Sequence, residues 1–331
     1  MNSRTKGPCI YSASPIFFRC ARNPLRYFGS AESEILTTTA IIQKTFLMNG
    51  ICRLYKEESD LQESHIFPKF VINYTKATGS KYLRSFVEPD KRMQDGIKKH
   101  LLSRKAEQDF STKEKWFAEK IFRPYLSGNT NLDYDENLYY FAISFLWRIL
   151  ISELESDNIR YKWYYDELLR TEQQWRDYLL NGKIPKNYNK VCLLLTDRVK
   201  NNSTDLKGVD FYLTRIMDGT IVDNKTQTCL LIYGKFNKFI FWAVLKEYGD
   251  ENTLTDVLIN PNKGTIKVPQ NLSYFPICSF LGNRINVVQN MILPNTLQQE
   301  KIEEEILKDK DFWKKEIGES LMNDINLENN K

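Results

Sequence analysis

Around Asn181-Gly182 the apolar pattern of this chain changes period, and that change restricts the fold more than any other feature. Before it, Leu138, Phe141, Ala142, Phe145, Leu146 and Ile149 recur at helical spacing. So do Tyr161, Tyr164, Tyr165, Leu168 and Leu169, then Trp175 and Leu179. Side chains three and four apart share one helix face, so each stripe predicts a helix with a buried side. Asn-Gly accepts left-handed backbone and ends the run. After it come short apolar or β-rich runs at 191–195, 211–216, 228–233 and 238–245. Gly208, Asp218-Gly219, Gly234 and Asn262-Lys263-Gly264 punctuate them, the pattern of an antiparallel sheet. Residues 298–321 return to a charged amphipathic helix, and the polar tail beyond is expected to fray. The reading is an α+β chain with a helical middle segment (130–182) and an antiparallel β-rich region (185–325) that ends in a helix.

A further module precedes the helical segment, at 48–126. Residues 51–55 read as a short strand leading into a turn. Ile66, Phe67, Phe70, Val71 and Tyr74 follow helix-like spacing after Pro68. Gly79 and Pro89 mark loops, and Asp95-Gly96 marks a turn with Leu101-Leu102 just beyond. Residues 103–122 read as a helix with Phe110, Trp116, Phe117, Ala118 and Ile121 on one face, stopped by Pro124. Residues 1–47 differ, with no clean periodicity and 6 Lys and Arg against 2 Asp and Glu. Two readings of them stay open: a transit-peptide-like composition, or an extension upstream of a start at Met48.

Charge is uneven. Residues 48–126 carry 16 Lys and Arg against 11 Asp and Glu, whereas 127–331 carry 25 against 29. A basic amino-terminal third fits a polyanionic partner, DNA or RNA, and equally fits an ordinary solvated face. The 6 cysteines are scattered without a CxxC pair, which suits free thiols in a reducing compartment, the cytoplasm. The longest apolar run, 141–151, is too short to span a bilayer and contains Arg148, so no membrane association is expected. Gly-rich phosphate loops and Gly-x-Ser-x-Gly elbows are absent.

The chain holds 2 histidines. One stands in Ser64-His65-Ile66-Phe67-Pro68, where a polar residue, His, an aliphatic residue and Pro follow in the order of the HNH nuclease core. Pro68 comes one place later than the commonest spacing. Beyond this core lie Cys52, Lys69-Phe70, Thr78-Gly79-Ser80, Tyr82-Leu83-Arg84, Gln94-Asp95-Gly96, Leu101-Leu102, Glu107-Gln108, Phe110-Ser111 and Glu114. Together these residues resemble a family of bacterial HNH-endonuclease-like proteins. The resemblance is close from Cys52 to Tyr125 and looser beyond, as at Ile259-Asn260-Pro261-Asn262-Lys263-Gly264. It implies a ββα-metal, treble-clef module in which His65 is the general base on a water attacking a phosphodiester. A divalent metal (Mg²⁺, Mn²⁺ or Zn²⁺) would stabilise the developing charge. It also implies a role in defence against foreign nucleic acid.

The family's two CxxC knuckles hold one structural zinc, and this chain departs from that pattern. The first knuckle is Cys52-Arg53-Leu54-Tyr55 and the second is Ser103-Arg104-Lys105-Ala106, so only Cys52 remains of four ligands. One thiolate cannot close a tetrahedral site, so structural zinc is not expected and the module counts as degenerate. Candidate ligands for a catalytic metal are Glu107 and Glu114, seven apart on one helical face, with Asp95 and Asp109 as weaker candidates. The acids are equally explained as a solvated helix face. Lys69, Arg84, Lys91 and Arg92 are candidate phosphate contacts. His100 reads as a surface residue; a site improvised from Cys52, His65 and His100 is the alternative. Three functions follow: a metal-dependent nuclease, an inactive HNH-derived nucleic-acid-binding scaffold, or a protein that meets a protein partner through its β-rich region.

Overall fold

The computed structural model of the protein describes residues 48–86, 88–290 and 293–330, so the readings of residues 1–47 lie outside it. The chain begins with β1 (Met48–Ile51) and β2 (Glu58–His65), an antiparallel pair. Helix α1 (Lys69–Ala77) and a short ribbon of β3 (Leu83–Arg84) with β4 (Arg92–Met93) follow. β5 (Lys98–Ser103) then pairs antiparallel with the free side of β2, giving the order β1-β2-β5. Helix α2 (Arg104–Phe117) starts directly from β5, because the Ser103 hydroxyl caps it by accepting from the Ala106 N–H at 3.3 Å. The helical path does not stop at Pro124. It passes through a π-helical segment (Ala118–Phe122) into α3 (Arg123–Leu126), where Pro124 sits in the first turn.

Strand β6 (Asn131–Asp135) leads into α4 (Glu136–Glu153), whose every residue from Phe141 to Glu153 is buried. A helix covered on all sides must be at the centre of the molecule. It packs on α2, on α5 (Tyr165–Asn181) and across the sheet described next. α5 ends as expected, at Gly182 with φ 69°. Its start is corrected: Tyr161 belongs to a preceding 3-10 turn and is 89% exposed, so it is no part of the buried stripe.

The carboxy-terminal half contains β7 (Lys190–Leu195), α6 (Val209–Arg215), β8 (Met217–Asp223), β9 (Leu230–Phe236) and β10 (Phe239–Lys246). The sheet order is β7-β10-β9-β8, antiparallel throughout. The expected strand at 211–216 is therefore a helix, and the strand lies just beyond it. Asp324, more than 100 residues away, accepts from the N–H groups of Asp210 and Phe211 at 2.8 and 2.9 Å. These are donors that a helix start leaves unpaired. β11 (Lys263–Lys267) pairs with β6. Helix α7 (Phe275–Gln289) covers the sheet face opposite α4, and the single terminal helix expected is two, α8 (Thr296–Lys308) and α9 (Glu316–Asn329). The tail expected to fray carries Asp324 and helix to Asn329.

Alternate residues of the sheet feed two cores. Ile232, Phe236, Phe239 and Phe241 face α4 and α2, while Leu231, Tyr233, Ile240 and Trp242 face α7. The first core runs from Cys52 to Ile266, so the amino-terminal module, the helical segment and the sheet share it. Phe117 stacks on Phe141 at 3.9 Å where they meet. Gly234 of β9 faces α4 closely: a Cβ there would approach Ile149 Cδ1 to 2.5 Å and Phe145 Cε1 to 2.6 Å. Gly234→Ala is expected to cost about 1–3 kcal/mol through overpacking. Urea unfolding checks this, and an unchanged midpoint would refute it.

Candidate active site around His65

Strand β2 ends at His65 because the next two residues dive inward. Ile66 and Phe67 are buried, the Ile66 N–H donates to the Ile97 carbonyl at 3.1 Å, and Pro68 opens α1. The imidazole is held in the space between β2 and the turn before β5, with 17% of its side chain exposed. Its Nε2 lies 2.9 Å from Asp95 Oδ1. The other carboxylate oxygen is 2.9 Å from Lys98 Nζ, and Lys98 also reaches Glu63 at 3.3 Å. The Gly96 N–H donates to Asp95 Oδ1 at 2.9 Å.

Burial by itself would raise the Asp95 carboxyl. Hydrogen bonds from Lys98, His65 and the Gly96 N–H outweigh it and hold the group well below the usual carboxylate range. Asp95 is therefore ionised at neutral pH and acts as acceptor for the imidazole. Gly96 lets this turn pack closely on α1: a Cβ there would meet Ile72 Cδ1 at 2.3 Å, so a larger residue requires the Ile72 side chain to move.

Beneath the strand end, the His65 carbonyl accepts from Arg148 Nη1 at 3.1 Å. Arg148 Nη2 meets Glu114 Oε1 at 2.6 Å, and Nε reaches the Ser144 carbonyl at 3.4 Å. Glu114 is thus linked to His65 through a guanidinium, not through a shared ion. Glu107, two turns earlier on α2, is half-buried, and its Oε1 has no hydrogen-bond partner among the described residues. Among the described residues, no three His, Cys, Asp or Glu side chains converge as a metal site. Asp95, the carboxylate on the imidazole, is paired with Lys98, and Glu114 is paired with Arg148. A divalent ion bound through either carboxylate would compete with the cation it now holds.

The two knuckle segments do come together. Cys52 is fully buried, and its Sγ accepts from the Ser103 N–H at 3.3 Å. Lys56, at φ 59°, turns the chain between β1 and β2, and Ala106 is fully buried in the first turn of α2. Tyr55 donates its hydroxyl to Asp109, and the Lys105 ammonium lies 4.1 Å from the Tyr55 ring centre. Burial first, and then Asp109, push the Tyr55 hydroxyl far up, which keeps it the donor. A thiol–amide contact, a helix cap and a cation over a ring occupy the four knuckle positions. His100 is exposed, with Nδ1 3.3 Å from the Leu61 carbonyl, and does not join Cys52 and His65.

The candidate phosphate contacts are not gathered at His65. Arg84 donates to the Pro89 carbonyl at 2.8 Å and to Gln298 at 3.2 Å, while Arg92 pairs with Glu305 at 2.9 Å. Both tie the 83–93 loop to α8. Lys91 reaches Glu88 at 3.4 Å, and Lys69 is exposed at the start of α1, four residues from His65.

Sequence reasoning treated Asp95 as a turn residue and weak metal candidate, and Arg148 only as an interruption of an apolar run. The signal for Arg148 was present, since a lone cation in such a run must find buried acceptors. Among the described residues, no helix is long and apolar enough to cross a membrane. No family model, curated protein sequence or solved structure matches this chain.

Proposed function

We propose that this chain is an HNH-like nucleic-acid-binding protein in which His65 is the general base of phosphodiester hydrolysis. The observation that carries the reading is the His65–Asp95 pair at 2.9 Å. An ionised Asp95 accepts the Nε2 proton, which leaves the lone pair on Nδ1 to take a proton from water. Asp95 then stabilises the imidazolium that forms. Two further features support the reading: the order of two antiparallel strands, β2 and β5, followed by α2, and the meeting of the two knuckle segments at Cys52 and Ser103. Both are what the resemblance implies for a ββα unit with a treble-clef frame that has lost its zinc ligands.

A second reading, a binding scaffold without catalysis, is favoured by one specific observation. Lys98 and Arg148 occupy the carboxylates that a catalytic ion would need. Cleavage of supercoiled plasmid and of a single-stranded oligonucleotide, without added metal and with Mg²⁺, Mn²⁺ or Zn²⁺, separates the two. The full chain is expected to cut, and His65→Ala to lower the rate by about 10²-fold or more with binding retained. Equal cutting by both proteins would refute the role of His65. Binding without cutting by either would leave the scaffold reading, and no binding would sink both.

A further inference from the structure

The turn that presents Asp95 to His65 borders a cavity of about 440 Å³. Gly96 and Ile97 belong to its wall, with Ile72 of α1 beside them. β8, α6, α7 and the two terminal helices contribute further wall. Gly96 also lies against the imidazole, since a Cβ built on it would be 3.7 Å from His65 Cδ2. The Ile97 carbonyl holds the Ile66 N–H at 3.1 Å, which ties the same stretch of wall to the end of β2. An occupant of the cavity would therefore rest on the residues that set the His65–Asp95 geometry.

Most of the wall is apolar: Phe67, Phe211, Val288 and Ile302 continue the surface begun by Ile72 and Ile97. The charged groups in it already have partners. Arg284 and Asp218 are joined by two hydrogen bonds of 2.6 and 2.7 Å. Arg215 lies 3.7 Å from Glu316 and donates to Thr78 Oγ1 at 2.9 Å and to the Thr75 carbonyl at 3.0 Å. Arg84 donates to the Pro89 carbonyl and to Gln298, with Glu305 and Asp90 acting on its charge. The Thr75 hydroxyl donates to the Val71 carbonyl at 2.9 Å. A charged ligand would lose its hydration here without gaining a counter-ion, whereas an apolar one gains by leaving water. The cover permits entry. None of the α8 residues is fully buried. Polar contacts hold the helix down, Gln298 to Arg84, Glu305 to Arg92, and the Asn295 N–H to Asp90 at 2.7 Å.

We propose that this cavity binds a neutral apolar molecule with an aromatic or branched body, seated on Ile72, Gly96 and Ile97 and covered by α8. Its volume falls within the range of about 300–1,000 Å³ usual for small-molecule sites. Binding there is independent of whether the chain cuts nucleic acid, because shape and paired charges define the site.

The test uses the full chain and two fluorescent probes of one skeleton: phenylnaphthylamine, which is neutral, and anilinonaphthalene sulfonate, its anionic counterpart. One saturable site is expected, at least about tenfold tighter for the neutral probe, because the sulfonate would be desolvated without a counter-ion. The imidazole NMR signals of His65 are expected to move with occupancy, while those of His100, exposed and outside the wall, stay in place. Ile302→Trp fills the cavity from a helix without fully buried residues and is expected to weaken the neutral probe about tenfold or more. Should that variant fail to fold, the two probes and the histidine signals of the unaltered chain decide the matter. No saturable binding, equal or tighter binding of the sulfonate, His65 signals that do not move, or binding unchanged in a folded Ile302→Trp variant would each overturn the proposal.

Discussion

Arg148→Met is expected to destabilise the protein by about 3–5 kcal/mol, the cost of breaking a buried ion pair by removing one partner. The side chain is 3% exposed and Glu114 18%, so the guanidinium has no bulk water to fall back on and the carboxylate has little. Met replaces the aliphatic stem, so the loss is chiefly electrostatic. Glu114 is left as an unpaired carboxylate and the His65 carbonyl loses its donor. The partial exposure of Glu114 places the expectation at the lower end of that range. Replacing both members, Arg148→Met with Glu114→Gln, removes the stranded charge and should cost clearly less than the sum of the single variants. Urea unfolding of the four proteins gives the coupling directly. A single-variant loss below about 1 kcal/mol, with additive behaviour, would mean that the pair is a surface-like contact with little worth. The single variant should also slow any cleavage, because the backbone under His65 is released.

The parts of this fold that were readable are those decided by local pattern. The runs at 191–195 and 238–245 fall within a residue or so of β7 and β10, because unbroken short apolar runs suit strands covered on both faces. The stripe from Leu138 to Ile149 is α4, and Asn181-Gly182 does end α5. What was not readable depends on residues distant in the chain. The run at 211–216 is as apolar as a strand, but Asp324 supplies the acceptors that make its start a helix. The same holds at the site. A single histidine in a nuclease-like segment marked His65, but its acceptor Asp95 arrives from a turn 30 residues on. Periodicity put Glu107 and Glu114 on one face of α2 and could not show that Arg148, from the central helix, takes Glu114. Arg84 and Arg92 counted as free basic charge until α8 brought Gln298 and Glu305 to them. Charge counting works on a chain, whereas pairing is a property of the fold.

Glu153→Gln is expected to stabilise the protein, and only above mildly acidic pH. Glu153 is 1% exposed, and both its carboxylate oxygens are buried with no hydrogen-bond partner among the described residues. It is the last residue of α4, where the helix dipole also disfavours a negative charge. Burial is the largest influence and raises its pKa from the ordinary 4.5 to about 8, with Lys99 and Arg284 pulling it down and Asp218 pushing it up. The sign of the pH dependence follows. The folded chain holds this proton more tightly than the unfolded chain. Below about pH 4.5 both states keep it, and the group costs nothing through ionisation. As pH rises from 4.5 towards 8 the unfolded state releases it first, and stability falls throughout that window. Above it the cost levels off at no more than about 5 kcal/mol, the free-energy equivalent of the gap between the two pKa values. Glutamine has nearly the shape of the protonated acid and cannot ionise, so it avoids the penalty. The melting temperatures of Glu153→Gln and the parent should nearly coincide at pH 4 and diverge by many degrees at pH 9. A parallel pair of curves, with the same difference at every pH, would mean that the carboxyl is hydrated in solution and titrates normally.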